Sequence, residues 1–146
     1  MKIEIIAICE AATDSQGKLN ILGAFDSIFA SKLPATHPQC TIALRLRFTK
    51  IEEGSHKIRI NVVDADGKLV IPSFDGGLTI RIKPGEEYAV ANLIINMQRL
   101  KFEKFGEYAV DLAINGRQEA SLPFFVRQIT PPPQVEQGTD QPELLP

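Results

Sequence analysis

The stretch Leu100–Arg127, LKFEKFGEYAVDLAINGRQEASLPFFVR, decides the fold class. In it Tyr108, Val110, Leu112 and Ile114 alternate with other residues, and so do Ala120, Leu122, Phe124 and Val126. Successive side chains of an extended chain point to opposite sides, so each set lies on one face of a strand. Asn115-Gly116 separates the two runs and is a strong local signal for a hairpin. A plain two-residue loop there would set Leu112 against Glu119 and Val110 against Ser121, a buried row against a polar one. The reading is therefore an odd-length loop with Gly116 at positive φ beside a bulge, setting Val110 against Ala120 or Leu122.

Just before the first strand stands Gly106-Glu107-Tyr108. A tyrosine in this place, after a glycine, has the form of the corner found in immunoglobulin-like sandwiches, whose hydroxyl bonds the backbone a few residues earlier. Gly106 and Tyr108 are thus read as a structural corner, with Leu100 and Phe102 plugging the sandwich end beneath it.

The flanking sequence repeats the pattern. Tyr88–Met97 is read as a strand, because Val90, Ile94 and Ile95 are β-branched and no helix cap precedes them. Leu78, Ile80 and Ile82 alternate with Arg81 and Lys83 after Gly76-Gly77, and Leu69–Ile71 reads as a short strand ended by Pro72. His56–Val63 sets Ile58, Ile60 and Val62 against Lys57 and Arg59. Thr41–Lys50 sets Ile42, Leu44, Leu46 and Phe48 against Arg45 and Arg47. Ser31–Gln39, with Pro34 and Pro38, reads as a crossover between sheets. A first hairpin joins Lys2–Thr13 to Lys18–Phe29 through Asp14-Ser15-Gln16-Gly17, with Gly23 marking a bulge or close backbone approach. The expected fold is an all-β, antiparallel two-sheet β-sandwich of immunoglobulin-like pattern with seven to nine strands. It occupies residues 1–128 as one domain. Residues 129–146 form a Pro-rich tail, read as disordered because it has few apolar side chains to offset its ordering entropy.

The sequence has 146 residues, 44% hydrophobic and 23% charged, which is ordinary for a globular domain that needs no metal or disulfide staple. A net charge of −2 gives no argument for a polyanionic or polycationic partner. No signal peptide or membrane span is read, so the expected setting is cytoplasmic, with Cys9 and Cys40 as reduced thiols.

No catalytic, cofactor-binding or metal-binding residue is assigned, and no cofactor is expected. Cys9, His37, Cys40 and His56 lack the two paired spacings of a structural zinc site, and the cysteines fit buried strands better. Cys9, beside Ala7 and Ile8, reads as an inert core thiol rather than a nucleophile. Asp64-x-Asp66-Gly67, with Asp75 as a further carboxylate, has the form of a calcium loop, but Asp and Gly stand where a hairpin turn wants them, and the turn is the favoured reading. The most suggestive polar feature is a row of outward cations: Arg45, Arg47, Lys57, Arg59, Arg81 and Lys83. On a shared sheet they would form an anion-binding face for an acidic protein, a phosphorylated ligand or nucleic acid. No aromatic residue interleaves with them, so a nucleic-acid partner is not favoured.

The stretch IIAICEAATDSQGKLNILGAFD, residues 5–26, carries a family resemblance, as do Leu33-Pro34, Arg45-Leu46-Arg47-Phe48 and Gly106-Glu107-Tyr108. Together they resemble a family of small bacterial proteins described only as a domain of unknown function. The resemblance covers most of residues 2–128 and implies a single β-rich domain of bacterial origin. It implies no activity, cofactor or site residue. Gly17, Lys18, Gly23 and Pro34 look like turn and packing positions. The functional expectation is a non-enzymatic interaction or accessory module with an unknown protein partner, or a homodimer formed through an edge strand. The alternatives are the anion-binding sandwich and an enzyme with an unrecognised site.

Overall fold

A computed structural model describes residues 1–130; the expected tail from Pro131 onward lies outside the described residues. Nine strands follow one another: β1 (Lys2–Ser15), β2 (Lys18–Ala24), β3 (Ser27–Ala30), β4 (Ala35–Thr49), β5 (Gly54–Asp64), β6 (Phe74–Ile80), β7 (Tyr88–Phe102), β8 (Gly106–Ile114) and β9 (Arg117–Gln128). They form a four-stranded sheet ordered β2-β1-β4-β7 and a five-stranded sheet ordered β3-β9-β8-β5-β6. All pairs are antiparallel except β3 with β9, which run parallel. No helix among the described residues is long and apolar enough to cross a membrane.

The alternating rows make the core. Ile42, Leu44, Leu46 and Phe48 of β4 are fully buried, as are Val110, Leu112 and Phe124 of β8 and β9. Fully burying an aliphatic or aromatic side chain of this size is worth about 1.5–3 kcal/mol, so the two facing rows dominate the stability. The corner forms as well. Tyr108 Oη donates to the Lys104 carbonyl at 2.7 Å. The Tyr108 ring meets Phe102 edge-on at 5.0 Å and stacks on Phe124 at 5.6 Å.

The central hairpin has the expected register with a different device. Val110 pairs with Leu122 and Leu112 with Ala120. The turn is a tight two-residue one, with Asn115 at φ 52° and Gly116 at φ 81°. The slip occurs inside the ladder between Leu112 and Ala113, where exposed Glu119 is left without a partner. Asn-Gly satisfies both left-handed positions of the turn, and the bulge restores the match between apolar rows.

Several segment boundaries differ from the sequence reading. Lys18–Phe29 is not one strand: it leaves the four-stranded sheet after Ala24, and Ser27–Ala30 pairs with Phe125–Gln128 in the other sheet. Ile129 remains tied down, its amide donating to the Ala30 carbonyl. Leu69–Ile71 is not a strand; only an isolated bridge joins Leu69 to Val63. β6 ends at Ile80, which leaves Arg81 and Lys83 outside any strand. β4 begins at Ala35, before the crossover residues end.

The β1–β2 hairpin also does something alternation does not reveal. β1 pairs with β4 from Lys2 to Cys9, and Ile5 lies opposite Arg45. Beyond Cys9 it pairs only with β2. The turn at the tip has Gln16 at φ 54° and Gly17 at φ 77°. The Gly17 carbonyl accepts from Arg45, the same residue that pairs with Ile5. The ribbon therefore doubles back across the outer face of the four-stranded sheet. Cys9 and Ala43 are completely buried yet stand apart from the inter-sheet core, as residues covered by this ribbon should.

Candidate functional site

The six cations do not share a face. Arg45 and Arg47 lie on β4 in one sheet, whereas Lys57 and Arg59 lie on β5 in the other. Arg81 and Lys83 follow β6 in a loop. Alternation told which side of its own strand each residue occupies; it carried no information about which sheet the strand joins. The six cations thus do not make a single field across one sheet.

Three of the six, Arg45, Arg47 and Arg59, have structural partners. Arg45 donates to the Gly17 carbonyl at 3.1 Å and to Asn92 Oδ1 at 3.0 Å. Asn92 in turn donates to Asp14 Oδ2 at 3.0 Å. Together they clamp the folded-back ribbon to β4 and β7. Arg47 donates to Glu4 at 2.5 Å and lies over the Tyr88 ring at 4.0 Å. The hydrogen bond from Arg47 holds the Glu4 carboxyl below the usual range. Glu4 sits at the β-bulge between Ile3 and Ile5, a position no local signal marked. Arg59 donates to Asp75 at 2.7 Å across the β5–β6 pair.

The Cys, His and Asp residues are dispersed. His37 stands near Phe25, and His56 packs on Phe48 with ring centroids 4.9 Å apart. His37 and Phe48 mark opposite ends of β4, separated by roughly 36 Å of extended chain. Both cysteines are fully buried. Burial raises the Cys40 thiol to about 11, and Cys9 is raised for the same reason. At neutral pH these are thiols, not thiolates. Asp64 Oδ1 accepts from the Asp66 and Lys68 amides, both at 2.9 Å, closing its own turn. Asp66 pairs with Lys104 at 3.2 Å, and Asp75 is held by Arg59 farther along β5. No group of three or more His, Cys, Asp or Glu side chains comes together among the described residues.

The sheet edges are more informative. Four strands end a sheet: β2, β7, β3 and β6. β3 has four residues, and β6 carries Asp75, Gly76 and Gly77. Short length, charge and glycine all blunt an edge. β2 belongs to the clamped ribbon. β7 has none of these devices over Tyr88–Gln98, YAVANLIINMQ, which contains no charge, glycine or proline. One side of β7 pairs with β4 along its length, and its other side takes no backbone hydrogen bond among the described residues. Beside its second half a gap of about 320 Å³ opens between the sheets, lined by Ile60, Val62, Ile71, Phe74, Ile95 and Met97. The strand was legible in the sequence; its position at the end of a sheet was not.

No curated protein matches the sequence. Among solved structures, Pseudomonas fluorescens alkylpurine DNA glycosylase AlkC bound to DNA containing an abasic site analog is similar over 70% of this chain, with 14% identity and a TM-score of 0.43. The chain spans 27% of that protein's chain, and a likeness of this degree carries no argument about function. Residues 4–127 match the Family of unknown function (DUF6941). That match takes in β1 through β9 nearly whole, and the chain belongs to this family.

Proposed function

We propose that this chain is a non-enzymatic interaction or accessory module, which engages its partner through the free edge of β7. The carrying observation is the length of uncharged strand at the end of the four-stranded sheet, with an apolar gap beside it. Main-chain donors and acceptors along such an edge recognise an added strand, and side chains at alternate positions select it. The non-enzymatic part is supported by the engagement of the candidate chemical groups elsewhere: the arginines in clamps, Asp64 in its turn and the thiols in buried positions.

Capture of the full chain from native lysate, followed by lysine cross-linking and peptide mapping, tests this reading. Cross-links from Lys101, at the end of β7, or from Lys83 or Lys104, which flank it, are the expected result. Turnover of a small molecule by the purified chain, together with cross-links confined to β2, β3 or β6, would overturn it.

A further inference from the structure

We infer that the occupant of the β7 edge is a second copy of this chain, paired antiparallel about a two-fold axis. This rests on the reading of β7 as the docking edge and names the partner. The argument is the distribution of charge about the strand. Glu86 and Glu87 stand immediately before Tyr88, and Arg99 and Lys101 lie at the far end of β7. The residues from Tyr88 to Gln98 are uncharged. Read backwards about Leu93, Glu87 and Arg99 exchange places with opposite sign, and Glu86 falls one residue from the place of Lys101. Lys83 and Glu103, one step farther out at each end, continue the same rule.

That pattern has one consequence for pairing. When two copies of β7 run antiparallel and Leu93 lies at the axis, Glu87 of each copy falls opposite Arg99 of its mate. Glu86 then lies next to the mate's Lys101. A two-fold contact is made of the same patch twice, so each attraction occurs twice. A parallel arrangement would instead set like charges side by side. Opposite charges directly across an antiparallel pair are favourable, and like charges there are unfavourable. The end residues are free to act in this way. The Lys101 side chain is 60% exposed, and its contact with Glu103 is 3.9 Å long. Glu86, Glu87 and Arg99 are exposed and have no side-chain partner among the described residues.

The interior of the strand agrees. Leu93, Ile95 and Met97 point toward the inter-sheet core, while Ala89 and Ala91 face the same way at the other end. With Leu93 at the axis, Ala91 lies opposite Ile95 and Ala89 opposite Met97, a small side chain against each large one. The dimer then has one continuous eight-stranded sheet. The gap beside Phe74, itself an exposed aromatic, closes against the mate's strand.

Sedimentation equilibrium of the full chain, from low micromolar to submillimolar concentration, tests the inference. The expected result is a monomer–dimer equilibrium, with β7 amide exchange slowing as the dimer fills. Glu86→Lys/Glu87→Lys weakens association about ten- to a hundredfold, and so does Arg99→Glu/Lys101→Glu. The quadruple variant recovers most of the native affinity, because the exchanged charges again meet their opposites. These positions are exposed, and far-ultraviolet circular dichroism checks that each variant keeps its strands. A chain that stays monomeric throughout overturns the inference. So does a dimer whose affinity ignores both pairs of reversals, or β7 protection that appears only with a different protein. None of these outcomes touches the lysine-mapping test of the module reading, so the two fail separately.

Discussion

Removing the hydroxyl of Tyr108 separates two contributions that the corner combines. In Tyr108→Phe the ring keeps its contacts with Phe102 and Phe124, and only the 2.7 Å bond to the Lys104 carbonyl is lost. Lys104 is exposed, so water takes up its carbonyl and no buried acceptor is orphaned. The loss is then that of one ordinary hydrogen bond, about 1 kcal/mol. With a urea slope of about 2 kcal/mol/M for a domain of this size, the midpoint falls by roughly 0.5 M with the slope unchanged. Tyr108→Ala removes the ring as well and leaves a void between two phenylalanines, which costs about 3–5 kcal/mol. Both variants are compared with the native chain at one protein concentration, because any self-association adds to apparent stability. A Tyr108→Phe loss below about 0.5 kcal/mol would mean that the hydroxyl does not hold the corner. A loss equal to that of Tyr108→Ala would mean that the ring is not the main contributor. Either result refutes the division made here.

Four further outcomes are expected. Glu52 accepts from the N-terminal ammonium of Met1 and from the Thr49 amide, which together lower its carboxyl to about 2. A depressed carboxylate stabilises the fold fully above its ordinary value of 4.5 and loses that contribution as pH falls toward 2. Glu52→Gln should therefore cost about 1–2 kcal/mol at pH 7, allowing for solvent screening, and urea melts should show the gap closing between those two pH values. Cys9 and Cys40 should both resist a thiol-disulfide reagent at neutral pH in the native chain and both react in urea, as read from absorbance. Gly23→Ala should destabilise by about 1–2 kcal/mol in thermal melts: Gly23 has φ 65°, and a Cβ there would come within 3.0 Å of the Glu10 side chain. Adding Glu10→Ala should relieve the contact but not the backbone strain. Arg45→Ala should release the ribbon, raising hydrogen exchange across residues 10–24 by about tenfold while leaving the core amides slow.

Legibility in the sequence followed the range of the interaction. The rows Ile42–Phe48 and Tyr108–Ile114 were readable because a strand's period is a local property of its own side chains. The corner at Tyr108 was readable because its acceptor, Lys104, lies four residues away. The hairpin register was readable from the mismatch that a plain turn would create, although the bulge at Glu119 sits away from the turn itself. The fate of the arginines was not readable. Arg45 meets Gly17, Asn92 and Glu4, and Arg47 meets Glu4 and Tyr88, all remote in the chain.

The sequence alone thus determined that this is an all-β chain with two apolar layers, where its main hairpins turn, and that the thiols belong inside. It did so because alternation, turn chemistry and apolar runs act over a few residues. Only the tertiary structure decided that Arg45 and Arg59 stand on opposite sheets, that the β1–β2 ribbon folds back, and that β7 is left as an open edge. Strand order and sheet membership are set by how the whole set of strands packs around one core, and no window of neighbouring residues contains that information.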